Sequence, residues 1–480
     1  MGPPTLCQYW TTTLKSIFAV SKKAGAEHSP FNFVFDCEIS GGATVDPLVG
    51  VSLEYPRAVS PVGSMKMAIC LPPLFLHLLL ILIPWGKTDG AQETEGPPEI
   101  RLDTGQQPEG DAPRTATLLR DLVGKNTDFG FKLFRRITSR HDGNVVFSPI
   151  STMYATMALM LSMRSPNSQP WGDAEPSLPL RLLGQLGDIL LGNRNLSLDR
   201  GSFAFVDRHL EIEENFLNLS RSYLNMTYVP VDFSEMVEAR TVINRHIEEE
   251  TQGKIPLLLQ DIEPDVRAIL ADYIFFKGKW LHPFDPSDTR LETFHPSRYS
   301  TVLVPTMSQV NHFTTTYDQD LGCTVLRLPF RGKASMLVII TDIPGEHLSI
   351  EDYFTVELLD TWLSRMEVRQ MEVFLPKFKL DQQYKMHQLL KRMGIKSIFS
   401  QGADLSGFAA PKEAFKISKI VQRAAIEVDE MGATAAVAMA SEITAYAMPP
   451  VLRVDRPFHF MIYEDVSRAL LFMGRVVDPS

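Results

Sequence analysis

The sequence predicts an α+β protein with large mixed β-sheets, because segments of helical and strand character occur without regular alternation. The apolar residues within 118–137 fall at helical spacing and predict the first helix of the domain. Residues 384–393 have a helical pattern that Gly394 closes, since glycine readily adopts the left-handed conformation that ends a helix. Residues 336–340 and 371–378 are rich in side chains typical of strands. A doubly wound fold would need strict alternation of strands and helices, which this order lacks.

One large domain accounts for the chain after Leu118, because no repeat and no Pro-, Gly- or Ser-rich linker divides it. Of the 480 residues, 44% are hydrophobic and 22% are charged, which supplies enough apolar material for a large core. The formal net charge of −10 argues against nucleic acid as the principal partner, because phosphate binding depends on clustered lysine and arginine.

A targeting signal is predicted at residues 65–90, some distance inside the chain. Lys66 precedes an apolar run over residues 74–83, and small or polar residues follow at 86–91. This is the order of parts in a secretory signal peptide, so we expect a secreted, extracellular protein. The alternative, a membrane-tethered protein, is disfavoured because the run is short for a hydrocarbon core of about 30 Å and prolines bracket it. Residues 1–64 then form an upstream extension to which the sequence assigns no function.

The mature chain is expected to begin with a tail and to lack disulfides. Residues 91–117 are acidic and proline-rich with few large apolar side chains, which predicts disorder. Cys7, Cys37 and Cys70 precede the expected cleavage point and leave Cys323 alone. No intrachain disulfide is then available, and stability must come from the core.

Three Asn-x-Ser/Thr tripeptides, at Asn195, Asn218 and Asn225, are predicted glycosylation sites. Such tripeptides also occur by chance, so each one alone carries little weight. Together with a signal peptide they are compatible with a secretory route.

No catalytic or metal-binding pattern stands out. The sequence contains no G-x-S-x-G elbow, no H-E-x-x-H helix and no P-loop, and its eleven histidines are scattered. A triad assembled only by folding is recognised by geometry, which the sequence does not give. We therefore expect neither an enzyme nor a metal site.

The most informative region is the stretch 430–450. Residues 425–428 have strand character, and after Gly432 the chain continues as ATAAVAMA over residues 433–440, without proline or charge. In a strand, one face of this run would be apolar and mostly small and the other uncharged, so both faces could be buried. An alanine-rich helix is an alternative of similar weight, because alanine has the highest helix propensity.

Several motifs, in order along the chain, resemble the serpin family. The matching segments are residues 144–149 (NVVFSP), 243–244 (IN), 251–255 (TQGKI), 275–280 (FFKGKW) and 454–462 (VDRPFHFMI). The resemblance covers residues 118–480. It implies the serpin fold, with large mixed β-sheets, about nine helices and an exposed reactive loop at 430–450.

By this resemblance the chain inhibits serine proteases. The target attacks the loop at a bait residue, and the cut loop then inserts into the central sheet and traps the acyl-enzyme. The spacing from Glu430 suits a bait bond between Tyr446 and Ala447. The implied hinge residues are Glu430, Gly432, Ala433, Thr434, Ala435 and Ala436.

The bait residue alone predicts a chymotrypsin-like target, because burying a large aromatic side chain contributes about 1.5–3 kcal/mol in an apolar pocket. The resemblance is stronger to a plasma member of the family with SEITAY at the positions of residues 441–446. That likeness implies coagulation factors Xa and XIa as targets, with protein Z as the protein cofactor for factor Xa on a phospholipid surface. Factor Xa prefers arginine at the bait position and would recognise tyrosine weakly. A cofactor and a membrane that raise the effective concentration of the inhibitor near the protease would have to compensate for this.

Three residues are similar to cofactor-facing positions of that plasma member: Asp142, Tyr299 and Asp352. Each of them is also consistent with an ordinary solvent-facing side chain.

Heparin is a second ligand that the family suggests, on a helix with basic residues. Residues 162–176 lack the Gly-Ala turn and the threonine-capped helix that the family usually has there, which puts that site in doubt. Four prolines within 164–179 predict a loop instead.

A non-inhibitory serpin that acts as a carrier or peptide precursor is the alternative function. Such serpins tend to have bulky, charged or proline residues at the hinge, and residues 432–440 have none. We therefore favour an inhibitor that acts as a monomer without a small-molecule cofactor.

Overall fold

The computed structural model describes residues 112–163, 178–264, 266–343, 345–400, 403–409, 417, 419–431 and 449–480. The predicted extension, the predicted signal peptide, the tail up to residue 111 and loop residues 432–448 lie outside the described residues.

The described part of the chain contains seven α-helices and three 3₁₀ helices. The α-helices are α1 (Ala112–Thr138), α2 (Pro149–Ser162), α3 (Leu178–Leu191), α4 (Glu214–Leu224), α5 (Met236–Glu250), α6 (Val356–Arg365) and α7 (Met386–Arg392). The 3₁₀ helices are η1 (Pro286–Asp288), η2 (Glu346–Tyr353) and η3 (Ser397–Phe399).

Fourteen strands are described, and they form two sheets. The strands are β1 (Val145–Phe147), β2 (Leu198–Asp207), β3 (Met226–Val231), β4 (Ala268–Phe276), β5 (Arg290–Ser297), β6 (Ser300–Asp318), β7 (Cys323–Phe330), β8 (Ala334–Thr341), β9 (Glu367–Pro376), β10 (Phe378–Lys385), β11 (Lys419–Val428), β12 (Val451–Arg453), β13 (Phe458–Glu464) and β14 (Leu470–Val476). Both sheets mix parallel and antiparallel pairs, so the predicted α+β class is confirmed.

The smaller sheet has the strand order β10-β11-β4-β2-β3. β10 pairs antiparallel with β11, and β4 pairs antiparallel with β2. β11 and β4 pair in parallel, although β5 to β10 lie between them in the chain. The parallel pair β2 and β3 forms the far side of the sheet.

Both faces of the smaller sheet are covered. Even-numbered side chains of β4 and β11, such as Ile274 and Ala424, pack into the main core. Odd-numbered side chains, such as Tyr273 and Val421, pack into a second core with Ile243 of helix α5. A strand added to this sheet between β4 and β11 would therefore need uncharged side chains on both faces.

The larger sheet has the order β1-β14-β13-β8-β7-β6-β9-β12, and β5 pairs with β6 off this path. Every residue of β8, β13 and β14 is buried, so these strands form the middle of the main core. The short strand β12 pairs only with β9 among the described strands and ends this path of the sheet.

Helix α2 shows how the NVVFSP motif builds local structure. Residues 145–147 form β1, and Ser148 then caps the helix by accepting the backbone N–H of Ser151 at 3.2 Å. Pro149 occupies the first turn, where its missing N–H would have no partner inside the helix. The helix is buried along most of its length, as expected for a segment inside a core.

Two predicted elements differ from the structure at their boundaries. The strand predicted at 371–378 is wrong as one unit, because β9 ends at Pro376 and β10, in the other sheet, begins at Phe378. Lys377 between them donates its backbone N–H to the carbonyl of Pro305 at 2.9 Å. A strand-like pattern does not encode which sheet it joins. The helix predicted from Tyr384 begins instead at Met386, because β10 remains paired with β11 to its last residue.

Two helices extend beyond the boundaries that the sequence predicted. Helix α1 begins at Ala112, before the predicted residue 118. Of the loop predicted at 164–179, residues 164–177 lie outside the described part, whereas Leu178 and Pro179 form the first turn of α3. Proline is compatible with a first turn, so that end of the prediction is corrected.

Within the described residues, no helix combines the length and the apolar character needed to span a membrane.

Candidate functional site

The candidate site is the boundary between β11 and β4, directly beside the stem of the reactive loop. Residues 419–426 of β11 pair in parallel with residues 269–276 of β4 without a register shift. The next residues after β11 lead into the loop, so a chain that turned back there would run antiparallel to both strands. The boundary could accept one such strand, and a parallel pairing would be replaced by two antiparallel ones.

The two stems of the loop belong to different sheets. The first stem continues from Val428 of β11 in the smaller sheet, and the second stem leads through Pro450 into β12 of the larger sheet. The carbonyl of Pro450 accepts the backbone N–H of Glu372 at 2.9 Å, and Val454 donates to the carbonyl of Phe374 at 2.9 Å. While both stems are held, the loop can enter the smaller sheet only if β12 detaches or the loop is cut.

Lys277 and Trp280 hold the boundary closed at the loop end. The Lys277 ammonium, just after β4, lies 2.6 Å from Glu427 Oε1 and 3.0 Å from Asp429 Oδ2 at the end of β11. The hydrogen bond to Glu427 is the main reason that the pKa of Lys277 is raised. The indole Nε1 of Trp280 donates to the carbonyl of Asp429 at 2.7 Å, and its backbone N–H donates to the carbonyl of Met431 at 3.0 Å.

Glu430 is the one predicted hinge residue within the described part of the chain. Its Oε2 accepts from Lys377 Nζ at 2.7 Å, and its Oε1 accepts from the Thr289 hydroxyl at 2.8 Å. Partial burial acts to raise the pKa of this carboxyl, but the hydrogen bonds from Lys377 and Thr289 outweigh it and leave the pKa lowered. The first residues of the loop are therefore anchored by charge-assisted hydrogen bonds.

Deeper in the boundary, Gln422 of β11 is bonded to helix α2. Its Nε2 donates to the carbonyl of Ser148 at 3.1 Å and to the Thr152 hydroxyl at 3.0 Å. All three residues are fully buried. An amide has no charge to lose near neutral pH, so this contact is insensitive to protonation there.

Asp272 of β4 is the direct register partner of Gln422. Its buried carboxylate accepts from Arg200 Nη2 at 3.1 Å, and the Arg200 guanidinium lies 3.7 Å from the centre of the Tyr154 ring in α2. Burial raises the pKa of Asp272 to about 6, although the charge of Arg200 acts in the opposite direction. Helix α2 is thus held from both sides of the boundary, by Gln422 and by Arg200.

The segment 251–264, here called the cover segment, is hydrogen-bonded both to helix α5 and to β11. Asn244 Oδ1 of α5 accepts the backbone N–H of Leu258 at 2.9 Å. Arg423 Nη1 of β11 donates to the carbonyl of Leu257 at 2.6 Å. The cover segment therefore lies over the smaller sheet, so it would cover the outer face of a strand inserted beside β11.

The predicted bait bond, Tyr446–Ala447, lies outside the described residues, and so do the hinge residues Gly432, Ala433, Thr434, Ala435 and Ala436. Their assignment rests on sequence, and the structure supplies the stems on either side.

The predicted cofactor-facing residues are all exposed, and buried contacts connect the segments that carry two of them. Asp142 lies between α1 and β1, and Asp352 lies in η2. A single buried guanidinium, that of Arg475, bonds residues adjacent to both of them. Tyr299 is 98% exposed in the turn between β5 and β6.

The three predicted glycosylation sites are also exposed. Asn195 lies in the turn after α3, and Asn218 lies on helix α4. Asn225 ends α4 in the left-handed conformation with φ of 52°. The structure leaves each of these side chains accessible to a modifying enzyme.

Sequence reasoning missed the polar and charged partners around the loop stem. Lys377 and Thr289, which bind Glu430, and Arg200, which binds Asp272, come from distant parts of the chain and carry no local motif. Lys277 and Trp280, in contrast, lie inside the FFKGKW motif, which the sequence alone singles out.

Comparison with known proteins identifies the family. A family model described as serpin (serine protease inhibitor) matches residues 124–479. The human protein Z-dependent protease inhibitor is 47% identical over 370 residues, which cover 75% of this chain and 83% of that protein. The rat protein of the same name is 46% identical over 373 residues, covering 75% of this chain and 85% of its own length.

Solved structures agree with this assignment. The crystal structure of the mouse protein Z-dependent protease inhibitor matches with a TM-score of 0.70 at 44% identity, covering 77% of this chain and 100% of that one. Human thyroxine-binding globulin in complex with thyroxine matches with a TM-score of 0.66 at 30% identity, covering 75% of this chain and 99% of that one. Sequence and fold agree that the chain belongs to the serpin family of serine protease inhibitors.

Proposed function

We propose that this serpin is a secreted inhibitor of coagulation proteases that acts as a suicide substrate at the bond between Tyr446 and Ala447. The observation that carries the proposal is the closed, parallel pairing of β11 with β4 next to a loop whose stems lie in different sheets. On this proposal the intact loop stays outside the smaller sheet, and the cut loop enters it between β11 and β4.

The proposed reaction begins as ordinary proteolysis. The protease serine attacks the carbonyl carbon of Tyr446, the amide bond to Ala447 breaks, and the new amino group of Ala447 leaves with the second stem. The first stem, ending in an ester with the protease, is then free to turn at Gly432 and enter between β11 and β4. Insertion carries the bound protease away from the loop end before water hydrolyses the ester.

The length and composition of the loop support this step. Residues 433–446 are fourteen residues that extend to about 46 Å, whereas the ten residues of β11 span about 33 Å. One parity of the run contains Ala433, Ala435 and Val437, which suit the main core or the second core beneath α5. Over residues 433–440 the other parity is uncharged and suits the opposite face.

The proposed targets are factor Xa with protein Z and phospholipid, and factor XIa, with a chymotrypsin-like protease as the simplest chemical match to tyrosine. The support is that several relatives carry the name protein Z-dependent protease inhibitor. We propose that protein Z binds the surface that carries Asp142, Tyr299 and Asp352. Tethering on a membrane raises the effective concentration of a poorly matched bait residue, which offsets weak recognition by factor Xa.

The rest of the proposal concerns processing and further ligands. Residues 65–90 act as a signal peptide, residues 91–111 form the tail, and residues 112–480 form the secreted serpin domain, because the predicted tail boundary at residue 117 falls inside helix α1. Residues 1–64 are left without a role. Asn195, Asn218 and Asn225 carry glycans, and their exposure supports this. The protein circulates in plasma as a monomer. Heparin is kept as a further ligand on family resemblance alone.

The proposal is tested by mixing the purified chain separately with chymotrypsin, with factor XIa, and with factor Xa plus protein Z and phospholipid vesicles. We expect an adduct resistant to sodium dodecyl sulfate with each active protease, and none when the active-site serine is blocked beforehand. Clean cleavage after Tyr446 without an adduct would contradict inhibition and favour the carrier alternative. An adduct with chymotrypsin alone would leave the inhibitory mechanism intact and reject the coagulation targets.

A charge at the hinge is expected to convert the inhibitor into a substrate. Ala433→Arg would force a guanidinium into a covered face during insertion, which costs several kcal/mol when no partner is present. The adduct fraction with factor XIa should fall at least about tenfold, while cleavage after Tyr446 continues. Ala433→Thr is the matched control, because it changes the same position without charge and should keep the adduct. Equal adduct yields for the Arg and Thr variants would be incompatible with strand insertion at this position.

Removing Lys277 is expected to loosen the closed boundary. Lys277→Gln leaves Glu427 and Asp429 without their shared cation, so we expect the intact form to unfold about 1–3 °C lower in a thermal scan. The cleaved form should be unaffected, because an inserted strand would separate these groups by about 4.8 Å more. Lys132→Gln removes a comparable pair on helix α1 and serves as the control. An equal shift in the intact and cleaved forms would mean that Lys277 does not act across the boundary.

A further inference from the structure

Arg475 joins two surface segments from inside the protein. It lies on β14 and is completely buried, and its Nη1 donates to Glu351 Oε1 of η2 at 2.7 Å. Its Nη2 donates to the carbonyl of Gly143 at 3.1 Å and also to the carbonyl of His141. The segment before β1 and the helix η2 are therefore bonded to one guanidinium.

Glu351 is the junction of this network. The same Oε1 that accepts from Arg475 also accepts from His459 Nε2 at 2.9 Å. Burial acts to raise the pKa of Glu351, but the hydrogen bonds and charges of His459, Thr138 and Arg475 leave it lowered. Glu351 is thus an ionised acceptor for several donors.

Aromatic packing and a second arginine fix η2 against α1. Phe354, directly after η2, lies with its ring centre 6.0 Å from Phe134 and 5.3 Å from His459. Arg135 Nη1 donates to the carbonyl of Phe354 at 3.0 Å. The position of η2 is therefore determined by buried contacts and not by its own short hydrogen-bond pattern.

The exposed neighbours of this network carry unpaired charge. Asp142 lies between His141 and Gly143, whose carbonyls Arg475 holds, and Asp352 follows Glu351 directly. Among the described residues, neither Asp142 nor Asp352 has a side-chain hydrogen bond or ion pair. Two free carboxylates held in fixed relation offer a site for cationic side chains of a partner.

Tyr299 extends the same surface. The side chain of Arg298, in the β5–β6 turn, lies beside Gly345 at the start of η2. A methyl group in place of the glycine hydrogen would be 3.6 Å from Arg298 Nε, so the turn adjoins η2. Tyr299 follows Arg298 and is 98% exposed, and Tyr353 at the end of η2 is 58% exposed. Exposed tyrosines beside free carboxylates are typical of anchor residues at a protein interface.

We propose that Arg475 is a positioning residue for protein Z binding: it holds Asp142 and Asp352 in the mutual arrangement that the partner recognises. The inference rests on the proposed protein Z surface and adds its internal determinant. The planar guanidinium of arginine has N–H donors in fixed directions that can reach Glu351 and two backbone carbonyls together. The single ammonium group of a buried lysine cannot reproduce that geometry.

The test compares wild type, Arg475→Lys and the control Arg327→Lys. Arg327 pairs with Asp465 at 2.9 Å near the other end of β13, about 20 Å away along the strand, and holds a loop that is not part of this surface. We expect Arg475→Lys to weaken protein Z binding, measured by surface plasmon resonance, by roughly tenfold. Adduct formation with factor XIa without protein Z should stay at the wild-type rate, and Arg327→Lys should bind protein Z normally.

A double-mutant cycle separates positioning from general destabilisation. If Arg475 acts through Asp352, then Arg475→Lys should weaken protein Z binding much less in an Asp352→Asn background than in wild type. A loss of the same factor in both backgrounds would overturn the inference.

If Arg475→Lys does not fold, Glu351→Gln tests the inference in its place. This variant keeps the acceptor oxygen and removes the charge that orients Arg475. Weakened protein Z binding with normal factor XIa inhibition would support the inference, and unchanged protein Z binding would overturn it. If Arg475→Lys folds and binds protein Z as tightly as wild type, the inference fails while the proposed function stands. If wild type forms adducts but does not bind protein Z, both the cofactor proposal and this inference fail.

Discussion

The parallel pairing of β11 with β4 is the constraint on which the rest of the structure depends. It brings together two strands that run in the same direction, with the loop stem leaving β11 at the only end from which a returning strand could pass between them. An added strand would face eight paired positions on each side and form on the order of ten additional hydrogen bonds, each contributing about 1 kcal/mol. The intact chain cannot reach that arrangement while β12 holds the second stem. Under the proposed mechanism the stability of the intact chain is therefore kinetic.

The contacts around this boundary divide into three levels. At the loop end, Lys277 and Trp280 bind the last residues before the loop, and Lys377 binds Glu430. In the middle, Gln422 bonds helix α2 from β11, whereas the pair of Arg200 and Asp272 holds it from the other side. On the outer face, the cover segment is hydrogen-bonded to β11. Insertion has to break or shift contacts at all three levels, so the native state resists spontaneous opening although each single contact is modest.

Much of the fold could be predicted from sequence, because the serpin motifs lie on elements with strong local patterns. The helix α1 and the strand β8 follow directly from spacing and residue type. The change of sheet at Lys377 could not be predicted, since strand pairing is decided by tertiary contacts and not by alternation. The anchors Thr289 and Arg475 could not be predicted either. Their partners, Glu430 and Glu351, lie more than a hundred residues away in the sequence, and no spacing rule links such distant residues.

The thermal unfolding of the chain before and after a single cut at the bond between Tyr446 and Ala447 tests the central claim most directly. If the freed loop becomes a strand between β11 and β4, the cut protein should unfold roughly 20 °C or more above the intact one, because about 10 kcal/mol of new hydrogen bonding is gained. If the cut protein unfolds at the same temperature as the intact one, the boundary does not accept the loop. The family fold would then be present without the mechanism.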